Sequence, residues 1–294
     1  MKNELNIAVA KMPKVGEIEL FREMAKQFNH NKYAKCTYVQ EVHKMMVEFE
    51  SSFYHGVKRI ELGDLLFLTY DKSKRELRLC VLQAKYRSGS FRKFLNCRAD
   101  VYQWELLYYK PDVYNKSRIN IPKHILNFRH DYKSITAYGI FYHDKTLHEI
   151  DFLYTLPELF TPKRIIPTPS QTFAFCCPNL GVCKSSCCGC STGCSIKKGS
   201  IPKETLYTCN MDIFEREVLA CKIGAPINDN EIRKYILGLL NSMKITADSP
   251  DVIDEILRNY DYKDTLIDYM YDEEYPSAII VVTDGEKCEK YIEE

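Results

Sequence analysis

The sequence predicts an α/β fold, a mixed sheet flanked by helices, and four observations carry that prediction. Residues 17–28 (EIELFREMAKQF) place Ile18, Phe21, Met24, Ala25 and Phe28 at helical spacing. Residues 62–70 (LGDLLFLTY) and 76–86 (ELRLCVLQAKY) are strand-like runs joined by the hairpin turn Asp71-Lys72-Ser73-Lys74. Residues 91–109, with Phe94, Leu95, Val101, Trp104, Leu106, Leu107 and Tyr108, read as a long helix ending before Pro111. Residues 133–142 (KSITAYGIFY) are rich in β-formers and read as the next strand.

The remaining elements follow in order. After a polar stretch from His30 to Lys35, residues 40–54 read as a second helix, with Val42, Met45, Met46, Phe49 and Phe53 in one stripe and Gly56 as its stop. Glu41, Glu48 and Glu50 lie beside that stripe. Ser88-Gly89-Ser90 is a break after the return strand, and residues 147–156 form one more strand before Pro157. Prolines 157, 162, 167, 169 and 178 mark irregular chain leading into a cysteine-rich segment. Helices return at 229–243, capped by Asn228 or Asp229, and at 250–272. A β-like run, Ala278 to Val282, then closes on an Asp284-Gly285 turn. Four segments result: an N-terminal helical segment (1–35), an α/β core (36–160), a Cys-rich segment (161–227) and an acidic, mainly helical C-terminal region (228–294).

Composition narrows the class. Of 294 residues, 45% are hydrophobic, far too many for a disordered chain. No apolar run approaches the roughly 20 residues of a membrane-spanning helix, and residues 1–15 lack a secretory pattern. A cytoplasmic location is therefore expected, where thirteen cysteines are not a disulfide framework. The near-balance of 41 basic and 40 acidic residues hides an uneven layout. Between Asp71 and Arg98 nine basic residues face two acids, whereas residues 228–294 hold seventeen acids and seven bases. The basic middle suits a polyanionic partner or a solvated face.

The chemistry concentrates in Glu61-Leu62-Gly63-Asp64 and in Gln83-Ala84-Lys85 on the neighbouring strand. Paired as a hairpin, the two strands bring Asp64 roughly opposite residues 80–83. An acid, an amide oxygen and a lysine then meet where apolar strands end. A carboxylate there can hold a hard cation such as Mg²⁺ or Mn²⁺. The lysine can orient or deprotonate a water and steady charge on a phosphate oxygen. Arg87, Arg92, Lys93 and Arg98 follow and can grip DNA phosphates.

This order, with Asp on one strand of a hairpin and (Glu or Gln)-x-Lys on the other before a helix and a strand, resembles the PD-(D/E)XK nuclease superfamily over about residues 40–145. The resemblance implies a restriction-endonuclease-like core and a DNA endonuclease that hydrolyses phosphodiesters with a metal-activated water, in restriction or anti-phage defence. It implies Asp64 as the central metal ligand, Lys85 as the catalytic lysine and the Ala84 carbonyl as a further ligand. Gln83 stands where an acid is commoner, which removes a charge from the metal site and raises the value of another acid. An acid on the first core helix often contributes in related nucleases; Glu48 is the first choice, Glu41 the second, and Glu61, at the mouth of the strand, a third. The rest of the chain is then expected to serve target recognition, oligomerisation or contact with a defence partner protein.

Seven cysteines fall within nineteen residues: Cys176, Cys177, Cys183, Cys187, Cys188, Cys190 and Cys194. Close cysteines separated by Gly and Ser can wrap Zn²⁺ or an iron–sulfur cluster. A non-catalytic nucleic-acid-binding or regulatory protein built on this metal knuckle is the alternative to a nuclease.

Overall fold

A computed structural model describes residues 1–12, 15–53, 55–90, 96–115, 121–144, 149–162, 170–175, 183–184, 206–262 and 275–288. In chain order the elements begin with α1 (Lys2–Val9), α2 (Glu17–Phe28), β1 (Ala34–Val39), β2 (Met46–Glu50), β3 (Val57–Glu61), β4 (Leu65–Asp71) and β5 (Glu76–Ser90). Next come β6 (Asn96–Asp100), α3 (Val101–Tyr109), β7 (Thr136–Asp144), β8 (Glu149–Thr155), β9 (Phe160–Pro162), β10 (Ser170–Phe175), β11 (Cys183–Lys184) and β12 (Leu206–Asn210). The chain continues through α4 (Met211–Leu219), β13 (Ala225–Pro226), α5 (Asn230–Met243), α6 (Pro250–Asn259) and β14 (Ser277–Thr283).

The main sheet runs β1-β14-β4-β5-β7-β8-β12-β11, with β13 also on β5. It is mixed: β4 and β5 are antiparallel, whereas β14 runs parallel to β4 and β7 parallel to β5. Every residue of β4 and β14 is buried, as strands covered on both faces require. The α/β architecture expected from the sequence, a mixed sheet flanked by helices, is what the chain adopts.

Side-chain alternation assigns the faces. Phe67, Phe141 and Phe152 meet Phe21 and Phe28 of α2 and Phe214 of α4, so those helices cover one face. Thr136 and Tyr70 point the other way; Thr136 bonds the Leu107 carbonyl of α3 (2.8 Å), and Tyr70 meets Tyr260 just after α6 (5.8 Å). α5 packs against α6. Within α2 the buried stripe is Leu20, Phe21, Met24, Ala25 and Phe28; Ile18, expected inside, is 60% exposed.

The break expected at Ser88-Gly89-Ser90 is not one, since β5 continues to Ser90 alongside β7; three further expected elements differ. Residues 40–54 are not a helix; β2 pairs antiparallel with β3 in a separate two-stranded ribbon. Val47 and Phe49 are buried while Met46, Glu48 and Glu50 are more open, a period of two that the helical spacing of Met45 and Phe49 masked. The helix expected over 91–109 starts at Val101, because the Asp100 side chain caps it by accepting from the Tyr102 and Gln103 amides. Asn96–Asp100 instead forms β6 against β10, and residues 91–95 lie outside the described residues. In the C-terminal helix expected over 250–272, α6 ends at Asn259 and residues 260–262 do not continue it; 263–274 lie outside the described residues.

The β4–β5 turn is held by Asp71, which has no exposed surface. Burial pushes its carboxyl up, but the Ser73 hydroxyl (2.6 Å), the Gly285 amide (3.3 Å) and the Lys74 ammonium (3.3 Å) outweigh burial and hold it below the ordinary aspartate value. Its contribution to stability is present above the ordinary carboxylate range and is lost as pH falls through the lowered value. Asp71→Asn is expected to flatten the loss of stability below about pH 4, read by urea unfolding across pH.

Candidate active site

The site is a fork in the sheet. β4 and β5 pair from the turn as far as Leu65 opposite Leu82, and there β4 ends. β5 runs on to Ser90 with β7 along its other edge. Asp64, the residue before β4, therefore stands opposite Gln83, at the open side of a strand that has lost one neighbour. Gly63 allows this approach: a Cβ there would lie 2.6 Å from Val81 Cγ1.

Two carboxylates satisfy the amides that β4 leaves behind. Asp64 Oδ2 accepts from the Ala84 amide (2.9 Å), and Glu17 Oε1, from the first residue of α2, accepts from the Tyr86 amide (2.7 Å). These groups flank Lys85, whose Nζ lies 3.6 Å from Asp64 Oδ2; each of the two side chains is 27% exposed. Gln83 is 5% exposed and donates through Nε2 to Asp64 Oδ2, leaving its Oε1 buried and without a hydrogen-bond partner. Burial pushes the Glu17 carboxyl up against the pull of Lys85 and the Tyr86 amide, with Asp64 adding to the rise.

A second charged group adjoins the first. Glu61 accepts from Lys44 (2.8 Å). Burial raises its carboxyl, Lys44 lowers it, and the nearby charges of Asp64 and Glu41 raise it further. The structure thus brings together Asp64, Gln83, Ala84 and Lys85, with Glu41 and Glu61 at the rim. Glu48 lies on the separate β2–β3 ribbon. It sits on β2, opposite Arg59 and bridged through its backbone to Tyr114, so it is not a helix acid. The helix acid beside Lys85 is Glu17, which the sequence reading missed. Its signal was present: an acid at the first position of the 17–28 helix.

The backbones of Arg87 and Arg98 lie on β5 and β6, and their side chains are outside what is described; Arg92 and Lys93 are outside the described residues. Of the seven clustered cysteines, Cys183 lies on β11, opposite Thr208. Cys176, Cys177, Cys187, Cys188, Cys190 and Cys194 lie outside the described residues. Cys36, Cys80, Cys209, Cys221 and Cys288 are buried free thiols; burial pushes Cys80 up to about 12 and Cys221 to about 11, which keeps them protonated.

No known protein family, curated protein or solved structure matches this chain. Among the described residues no three His, Cys, Asp or Glu side chains converge as a metal-holding group. A hard cation held at the fork would thus need neutral oxygens beside Asp64. The unpartnered Gln83 Oε1 and the neighbouring backbone are of the donor type that Mg²⁺ takes. Among the described residues no helix is long and apolar enough to cross a membrane.

Proposed function

We propose that the protein is a Mg²⁺-dependent endodeoxyribonuclease with a PD-(D/E)XK-type core. The observation that carries this reading is the meeting of Asp64, Gln83 and Lys85 at one fork of the sheet. The order α2, β4, β5, α3, β7, with β7 parallel to β5, supports the restriction-endonuclease-like assignment. Asp64, Gln83 Oε1 and the Ala84 carbonyl would hold the cation, which when bound lowers the pKa of a water and neutralises phosphate charge. Lys85 places a positive charge beside the attacked phosphate and orients the nucleophilic water. Asp64 and Glu17, by capping the amides on either side, hold the Lys85 backbone at a point where β4 no longer pairs with it. A place in restriction or anti-phage defence follows by analogy with such cores.

The test is incubation with supercoiled plasmid and Mg²⁺ beside an EDTA control. Nicked and linear products should appear only with the cation; cleavage that persists in EDTA sinks the reading. Glu17→Ala frees the Tyr86 amide and removes the acid facing Lys85, so the initial rate is expected to fall roughly 10–100-fold. Glu17→Gln, which keeps an acceptor for that amide, should recover part of the loss. A variant pair with wild-type rates would remove Glu17 from the site.

A further inference from the structure

A concave site lies at the other end of α3. The first turn of that helix reaches toward the fork, where Gln103 Nε2 donates to the Leu62 carbonyl (3.5 Å). Its last turn, with the segment leading into β7, encloses a cleft of about 430 Å³ whose lining includes Tyr108, Tyr109, Lys110, Arg129, Tyr132 and Glu158. That size lies within the roughly 300–1,000 Å³ of small-ligand pockets.

The walls offer flat surfaces. Tyr108 and Tyr109 stand edge to face at 4.8 Å, and Tyr109 is 49% exposed. The Arg129 guanidinium lies 4.6 Å from the centre of the Tyr132 ring. Both cations are already committed. Arg129 is bidentate to Asp131 (2.8 and 2.6 Å), and Lys110 Nζ bonds Glu158 Oε1 (3.1 Å). With Arg129 and Lys110 both paired to carboxylates, His130 is the remaining basic group of the lining.

What it lacks is a donor. The Glu158 side chain is 10% exposed, and its Oε2 is buried with no hydrogen-bond partner. Buried acceptors are rarely left so, and an N–H donor that reached it from the cleft would complete this one. The partner that aligns Glu158 is itself held in an unusual state. Lys110 caps α3 at φ +52°, a conformation non-glycine residues seldom adopt, and Asn127 pins it by donating to its carbonyl (3.1 Å).

We propose that this cleft binds a guanine base, its ring against the tyrosines and its N1–H and exocyclic amine turned to Glu158. Guanine presents two adjacent N–H donors on that edge, which a carboxylate accepts. Adenine and cytosine set a ring-nitrogen acceptor beside the amine, and that acceptor would face the carboxylate unfavourably. The base comes either from a free nucleotide or from an unpaired position of a nucleic-acid strand.

The chain carries its own reporter, since its only tryptophan, Trp104, lies 4.8 Å from Tyr108 and 6.3 Å from Tyr109. The full chain in EDTA is titrated with GMP, AMP, ribose 5-phosphate and an oligothymidine strand bearing one guanine, by tryptophan fluorescence and by calorimetry. The expected result is saturable GMP binding at least about tenfold tighter than AMP, with no response to ribose 5-phosphate. Tyr109→Ala, which removes a half-exposed ring, and Glu158→Gln should each weaken GMP at least about tenfold. Binding of the guanine strand without GMP binding supports the strand as the source. Equal affinity for GMP and AMP, or no saturable binding of GMP or of the strand, overturns the proposal. Because no cation is present, guanine binding and plasmid cleavage can each fail without the other.

Discussion

Lys85→Met and Asp64→Asn should each lower Mg²⁺-dependent plasmid cleavage by roughly 10²–10⁴-fold, the range expected for a positioned acid–base or charge-stabilising group. The fold should survive both changes. Asp64 and Lys85 are partly exposed, and their 3.6 Å contact is worth about 1 kcal/mol or less. In Asp64→Asn an amide oxygen remains to accept from Ala84. The two variants separate by their metal dependence. Asp64→Asn removes the carboxylate charge, so the Mg²⁺ concentration giving half-maximal rate should rise. Lys85→Met removes a neighbouring positive charge, so that concentration should stay level or fall while the maximal rate collapses. Full activity in both variants would falsify the assignment of the site to the β4–β5 fork.

Phe214→Ala should reduce the free energy of unfolding by about 3–5 kcal/mol, the range for deleting a buried aromatic ring. Phe214 is fully buried on α4, and its ring lies 5.4 Å from Phe67 of β4, 4.9 Å from Phe152 and 5.4 Å from Tyr154 of β8. It joins a helix that follows the seven clustered cysteines to strands that precede them. Against a typical domain stability of roughly 5–15 kcal/mol, the loss is severe. Phe214→Leu keeps most of the volume and should cost clearly less. Urea unfolding measures both. A midpoint for Phe214→Ala within error of the wild type would mean that α4 does not close the core.

The hairpin was legible because its determinants are local. A four-residue turn and two strand-like runs set the register, and Asp64 lands opposite Gln83, at the end of the 80–83 stretch the sequence indicated. Glu17 was not legible as a site residue. Its bond to the Tyr86 amide spans 69 positions and exists only because α2 packs across the sheet. Glu48 looked suitable while residues 40–54 read as a helix. Met45 and Phe49 fit a two-residue period with Val47 as well as a helical one with Met46 and Phe53, and pairing with β3 decided between them.

By itself the sequence determined the α/β class, the β4–β5 hairpin, and the close approach of Asp64 to Gln83 and Lys85. The hairpin and that approach follow from alternation and turn chemistry within about twenty residues, where chain connectivity alone limits the alternatives. The tertiary structure decided the rest. It inserts β14 between β1 and β4, places Glu17 at the fork, and leaves Glu158 with an unmet oxygen beside the last turn of α3. Those placements depend on which apolar faces bury one another across the whole chain, and burial is non-directional, so no local pattern encodes it.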